Sequence, residues 1–97
     1  MKGYELSSEA LADLQEIWVH IAVDNPSAAD KLEAEIYQAC ELLVKNPRLG
    51  HHRRDLTDEP VLFWTVRDHY LVIYYGKEKP LKVARILHAA RDVQAQF

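Results

Sequence analysis

From residue 8 to about 23, the apolar positions are Ala10, Leu11, Leu14, Ile17, Trp18 and Ile21. Their spacing follows the 3.6-residue period of an amphipathic helix. Ser7 or Ser8 can cap its start, and Glu9 then lies in the first turn, where a carboxylate suits the helix dipole. The segment Asp24-Asn25-Pro26-Ser27 breaks the pattern. Asn25 is a second cap, and Pro26 fits the first position of a new helix. Ala29, Leu32, Ile36, Ala39, Cys40 and Leu43 carry a second stripe to about residue 45, where Lys45, Asn46 and Pro47 stop it. So short a link predicts an antiparallel helix hairpin.

Beyond the polar stretch 47–60 the period changes to two. Segments 61–66 (VLFWTV), 70–75 (YLVIYY) and 82–88 (KVARILH) are rich in β-branched and aromatic residues and predict strands. The links Arg67-Asp68-His69 and 76–80 (GKEKP) make them two hairpins. At the start, Tyr4 and Leu6 alternate with polar neighbours, which predicts a short edge strand over 2–6. The expectation is an α+β fold of order β-α-α-β-β-β, with the helix hairpin on one face of the sheet. The other face is expected to stay open. The pattern leaves undecided whether Tyr70, Val72 and Tyr74 or Leu71, Ile73 and Tyr75 point inward.

Composition narrows this further. Ninety-seven residues suit one domain spanning 1–97, and 48% hydrophobic with 28% charged residues excludes a disordered chain. The lone Cys40 lies on an apolar stripe and reads as a buried free thiol, so an oxidising compartment gains no support. Residues 1–6 contain no long apolar stretch, no signal peptide is expected, and no run is long enough to span a membrane. A cytoplasmic location follows as the expectation. Charge divides unevenly. Residues 1–47 hold three Lys/Arg against nine Asp/Glu, and residues 48–97 hold nine against six. A local positive surface on the second half is therefore expected, short of the footprint of a dedicated nucleic-acid binder.

The first helix region with its Asp24-Asn25-Pro26 break, the bridge 42–50 (LLVKNPRLG), the strand 70–75 and the ending 83–92 (VARILHAARD) together resemble the RelE/ParE superfamily of type II toxins, on the ParE side. The resemblance covers nearly the whole chain. It implies the same β-α-α-β-β-β fold and a cognate antitoxin held in a hetero-oligomer. RelE-like members cut mRNA on the ribosome, whereas ParE-like members poison DNA gyrase. Many nuclease members carry an arginine where this chain reads Tyr70-Leu71-Val72, and basic or aromatic groups where it has Ala89-Ala90. These departures favour a gyrase-binding inhibitor with no catalytic residues of its own. The alternatives are an mRNA endonuclease and a non-toxic antitoxin-binding co-repressor.

RNA cleavage needs a base, a cation for the phosphorane and an acid. His88, Arg85 and Arg91 are the best remaining candidates for that alternative. Arg85 and His88 are three apart, so a regular strand puts them on opposite faces. His88 instead reads as a strand-end residue securing the turn, with Asp92 or Asp68 as partner. Under the binding reading, Arg67, Arg85, Arg91 and Phe97 are the candidate target surface. Arg53, Arg54, Tyr70 and Tyr74 are the candidate antitoxin surface. Asp13, Glu16 and Glu35 are expected to form solvated helix surface. His51-His52 lacks the ligand set of a zinc site, and neither metal nor cofactor is expected.

Overall fold

Ser7 joins the first strand, the first helix and the last strand. The computed structural model describes residues 3–93. Strand β1 (Tyr4–Leu6) ends at Ser7, whose Oγ caps helix α1 (Ser8–Ala22) by accepting from the Ala10 N–H at 3.0 Å. The Ser7 hydroxyl donates to the Ala84 carbonyl at 2.7 Å and its N–H to the Val83 carbonyl at 2.9 Å. Asn25 caps helix α2 (Pro26–Lys45) in the same way, accepting from the Ala28 N–H at 3.1 Å. Trp18 Nε1 donates to Asp30 at 2.9 Å and links the two helices.

Strands β2 (Leu62–Val66), β3 (Tyr70–Tyr75) and β4 (Leu81–His88) form the meander. Sheet order is β1-β4-β3-β2, with β1 parallel to β4 and the other pairs antiparallel. The predicted element order holds, with boundaries shifted by one or two residues at most.

The helix-facing core joins Leu14, Ile17, Leu32, Ile36 and Leu43 to Val72, Tyr74, Val83 and Ile86. Tyr70, Val72 and Tyr74 are therefore the inward set. Burying each large aliphatic side chain contributes about 1.5–3 kcal/mol, so this layer dominates the fold. Cys40 lies in it with no exposed surface, and burial pushes its thiol up to about 12.

Two expectations need correction. The opposite sheet face is not open: Phe63, Leu71, Ile73 and Leu87 are buried there, with Val61 and Val93, and Leu56 and Ala89 pack against them. The polar stretch 47–60 and the turn after β4 thus supply apolar cover, through Leu56 and Val93, that the alternating pattern of the strands did not reveal. The alternation of β4 is also broken. Ile73 pairs with Arg85 but Tyr74 pairs with Val83, leaving Ala84 as an extra residue. This bulge lets Val83 and Ile86, three apart, share the helix-facing core.

Candidate functional site

The bulge falls where β1 stops. β1 pairs with Leu81, Lys82 and Val83 only, so the next part of β4 has an uncovered edge. Helix α1 fills that gap. Asp13 Oδ2 accepts from the Ile86 N–H at 3.1 Å, taking the place of a strand partner. The same carboxylate holds Arg85 in a two-point pair, with Nε at 2.7 Å and Nη2 at 2.9 Å. This pair is only partly exposed, at 27% for Arg85 and 13% for Asp13. Asp13 is a structural ligand, not the solvated helix residue expected from sequence.

Arg67 is also paired. The β2–β3 turn places Arg67 and Asp68 at φ 54° and 58°, left-handed conformations uncommon in residues other than glycine. From that turn Arg67 makes a two-point pair with Glu35 of α2, with Nε at 2.7 Å and Nη2 closing the second contact. The Arg67 guanidinium holds the Glu35 carboxyl below its ordinary value. Glu35 keeps to the solvated helix face that was expected, at 40% exposed, but pairs there with Arg67.

His88 sits at the end of β4 as a turn-former. Its Nδ1 accepts from the Arg91 N–H at 3.1 Å, which leaves the neutral ring's proton on Nε2. Its own N–H donates to Asp92 at 3.1 Å, and its carbonyl accepts from the Asp92 N–H at 2.9 Å. Asp92 is therefore its partner through the backbone rather than through the ring. The His88 ring meets Tyr70 edge-on at 5.4 Å and stacks with His69 at 6.5 Å. Arg91 binds Asp92 at 3.0 and 3.3 Å. The Arg91 guanidinium, followed by the His88 N–H, draws the Asp92 carboxyl below its ordinary value.

One end of the sheet thus gathers His69, Tyr70, His88 and Arg91, with Tyr70 in the electrostatic reach of both Arg67 and Arg91. Each arginine near it already holds a carboxylate. Tyr74, by contrast, has no exposed surface. Its hydroxyl donates to the Pro47 carbonyl at 2.8 Å and accepts from the Gly50 N–H at 2.9 Å. Its place on an open antitoxin-facing surface is therefore corrected: Tyr74 ties the loop after α2 to the core. Tyr70 is half-buried, while Arg53 and Arg54 are exposed on the 51–60 segment. Phe97 lies outside the described residues.

The family model for the ParE toxin of type II toxin–antitoxin systems (parDE) matches residues 4–93, almost all of the chain. The chain belongs to the ParE toxin family. Among solved structures, this ParE-family chain is similar to one described as the chromosomal ParDE toxin–antitoxin system from P. aeruginosa. That likeness has a TM-score of 0.71 and 24% identity, covering 88% of this chain and 92% of the other. At that identity the match speaks for the fold. A comparison with curated proteins gives no match.

Asp13 and Glu35 were missed in sequence because a helix surface carboxylate gives no signal of its partner. The single available hint was position: Asp13 directly precedes the buried Leu14, and Glu35 directly precedes the buried Ile36. No helix among the described residues is long and apolar enough to cross a membrane.

Proposed function

We propose that this ParE-family chain is a cytoplasmic toxin of one domain that acts by binding its target, DNA gyrase, and is neutralised by a cognate antitoxin in a hetero-oligomer. One observation carries the binding reading over cleavage. The three groups available for RNA chemistry are already engaged: Arg85 on Asp13, Arg91 on Asp92, and His88 Nδ1 on the Arg91 N–H. A free base and an unpaired cation at one point are what phosphoryl cleavage needs.

The target surface in this reading is the sheet end with Arg67, Arg91 and the tail to Phe97, while Arg85 braces it through Asp13. Arg53, Arg54 and the exposed part of Tyr70 remain the antitoxin contacts. Purified chain added to a gyrase supercoiling reaction is expected to block supercoiling, and added antitoxin is expected to restore it. Unchanged supercoiling at excess chain, together with mRNA cuts in a translating extract that Arg91→Ala abolishes, would replace this reading with the endonuclease one.

A further inference from the structure

Six arginines occur in the chain, all among the described residues. Four hold carboxylates: Arg53 on Asp55, Arg67 on Glu35, Arg85 on Asp13 and Arg91 on Asp92. Among the described residues Arg48 and Arg54 hold none, and both line the same groove, of about 1240 Å³. The groove runs between the loop after α2, the 52–60 segment and the β3–β4 turn. Lys77 and His52 also face it.

Its walls are built before any ligand arrives. Tyr74 pins Pro47 and Gly50 from beneath. His51 bridges to Phe63 with both backbone bonds, at 2.9 and 2.8 Å. Gly76 packs where a Cβ would lie 2.9 Å from Leu62 Cδ1 and from the Pro47 carbonyl, which brings the β3–β4 turn against the other wall. A preformed site loses little ordering entropy on binding.

We infer that this groove is a docking site for an acidic peptide segment that also carries apolar side chains, supplied by a protein partner. Arg48 and Arg54 offer planar two-point donors suited to carboxylates. Leu49, Leu62 and Pro47 provide an aliphatic lining between them. A nucleic-acid strand fits less well. Asp58 and Glu78 also line the groove and oppose phosphates beside them, and Tyr75 and His52 are the two rings there for bases to stack on. Peptide carboxylates can be spaced to meet the two arginines and avoid the two acids. That the partner is the antitoxin rests on the function proposed above; the chemistry of the segment does not.

The test is fluorescence anisotropy on the whole chain, with a short labelled peptide of alternating Glu and Leu, its Gln-Leu counterpart and a single-stranded oligonucleotide. The Glu-Leu peptide is expected to bind and to weaken with added salt. R48A/R54A is expected to lower its affinity about tenfold or more, while Lys31→Ala, which removes one charge on α2, changes it less than about twofold. Both arginines are exposed, and an unchanged denaturation midpoint for R48A/R54A separates lost binding from lost folding. Equal binding of the Gln-Leu peptide, indifference to R48A/R54A, or preference for the oligonucleotide overturns the inference. Co-purification of the antitoxin is scored separately. Its failure with the wild-type chain removes the proposed partner but leaves a positive peptide result standing.

Discussion

Asp13 binds the Arg85 guanidinium and the Ile86 backbone N–H with one carboxylate, and so completes an edge of β4 that β1 is too short to cover. A helix side chain here does the work of a missing strand residue. The same relationship commits Arg85 to Asp13 and leaves a part-buried salt link where a catalytic pair was conceivable.

Asp13→Ala is expected to destabilise the chain by about 2–3 kcal/mol, because it strands a partly buried cation and an unpaired strand N–H. Asp13→Asn keeps an acceptor for Ile86 and is expected to cost about half as much. Urea denaturation reads both as shifts of midpoint at constant slope. Equal midpoints for wild type and Asp13→Ala would mean that the link contributes nothing.

Tyr74→Phe keeps the ring in the core but removes the hydroxyl between Pro47 and Gly50. The expected cost is about 1–2 kcal/mol, since the Gly50 N–H loses its partner in a buried place. Hydrogen exchange should speed up at Gly50 while amides in α2 keep most of their protection. A uniform increase across the chain would show that the bond supports the whole fold rather than the loop.

Gly50→Ala tests the closeness of that loop. A Cβ there would lie 2.6 Å from the Tyr74 hydroxyl and 3.0 Å from Leu62 Cβ. Something must shift, at a cost of about 1–3 kcal/mol. Thermal unfolding followed by circular dichroism is expected to show a clear fall in Tm, and an unchanged Tm would place the loop further from the core than described.

Stability should fall in alkali. The buried Cys40 thiol titrates at about 12 against an ordinary 9.0, because burial disfavours its thiolate. Above pH 9 the unfolded chain therefore releases a proton that the folded chain keeps, and stability drops by up to about 1.4 kcal/mol per pH unit. Tyr4, pushed by burial from 10.0 to about 12, adds a second drop at higher pH. Cys40→Ala is expected to flatten the slope between pH 9 and 10, despite a lower baseline from the cavity it leaves. A slope identical to wild type would argue against a buried thiol.

Acid acts through the other sign. Asp92, held below its ordinary 3.8 by Arg91 and the His88 N–H, contributes stability that is present above that value and lost as pH falls through its folded value. Asp92→Asn should flatten the acid limb of a stability–pH curve below about pH 4. The same substitution loosens the turn after β4, so the His88 N–H should exchange faster at neutral pH. An unaltered acid limb would show that Asp92 is not held by Arg91 in solution.

Elements with a strong period were legible from the chain alone. Leu14, Ile17, Leu32 and Ile36 repeat at helical spacing, Asn25 and Pro26 mark a boundary, and the 70–75 strand matched residue for residue. The candidate site was less legible. The bulge at Ala84 shifts the facing of everything after it, and no pattern within 82–88 announces it. Leu56 and Val93, one in a polar loop and the other after the last strand, close a sheet face that alternation alone left open.

By itself the sequence determined the element order, the helix-facing stripes, the caps and the split of charge between the two halves, because each depends on near neighbours along the chain. The tertiary structure decided which arginines are already spoken for. Asp13 lies 72 residues from Arg85, and Glu35 lies 32 from Arg67. A charge pair over such separations depends on where two elements pack, and so does its converse: the groove where Arg48 and Arg54 stand with no carboxylate of their own among the described residues.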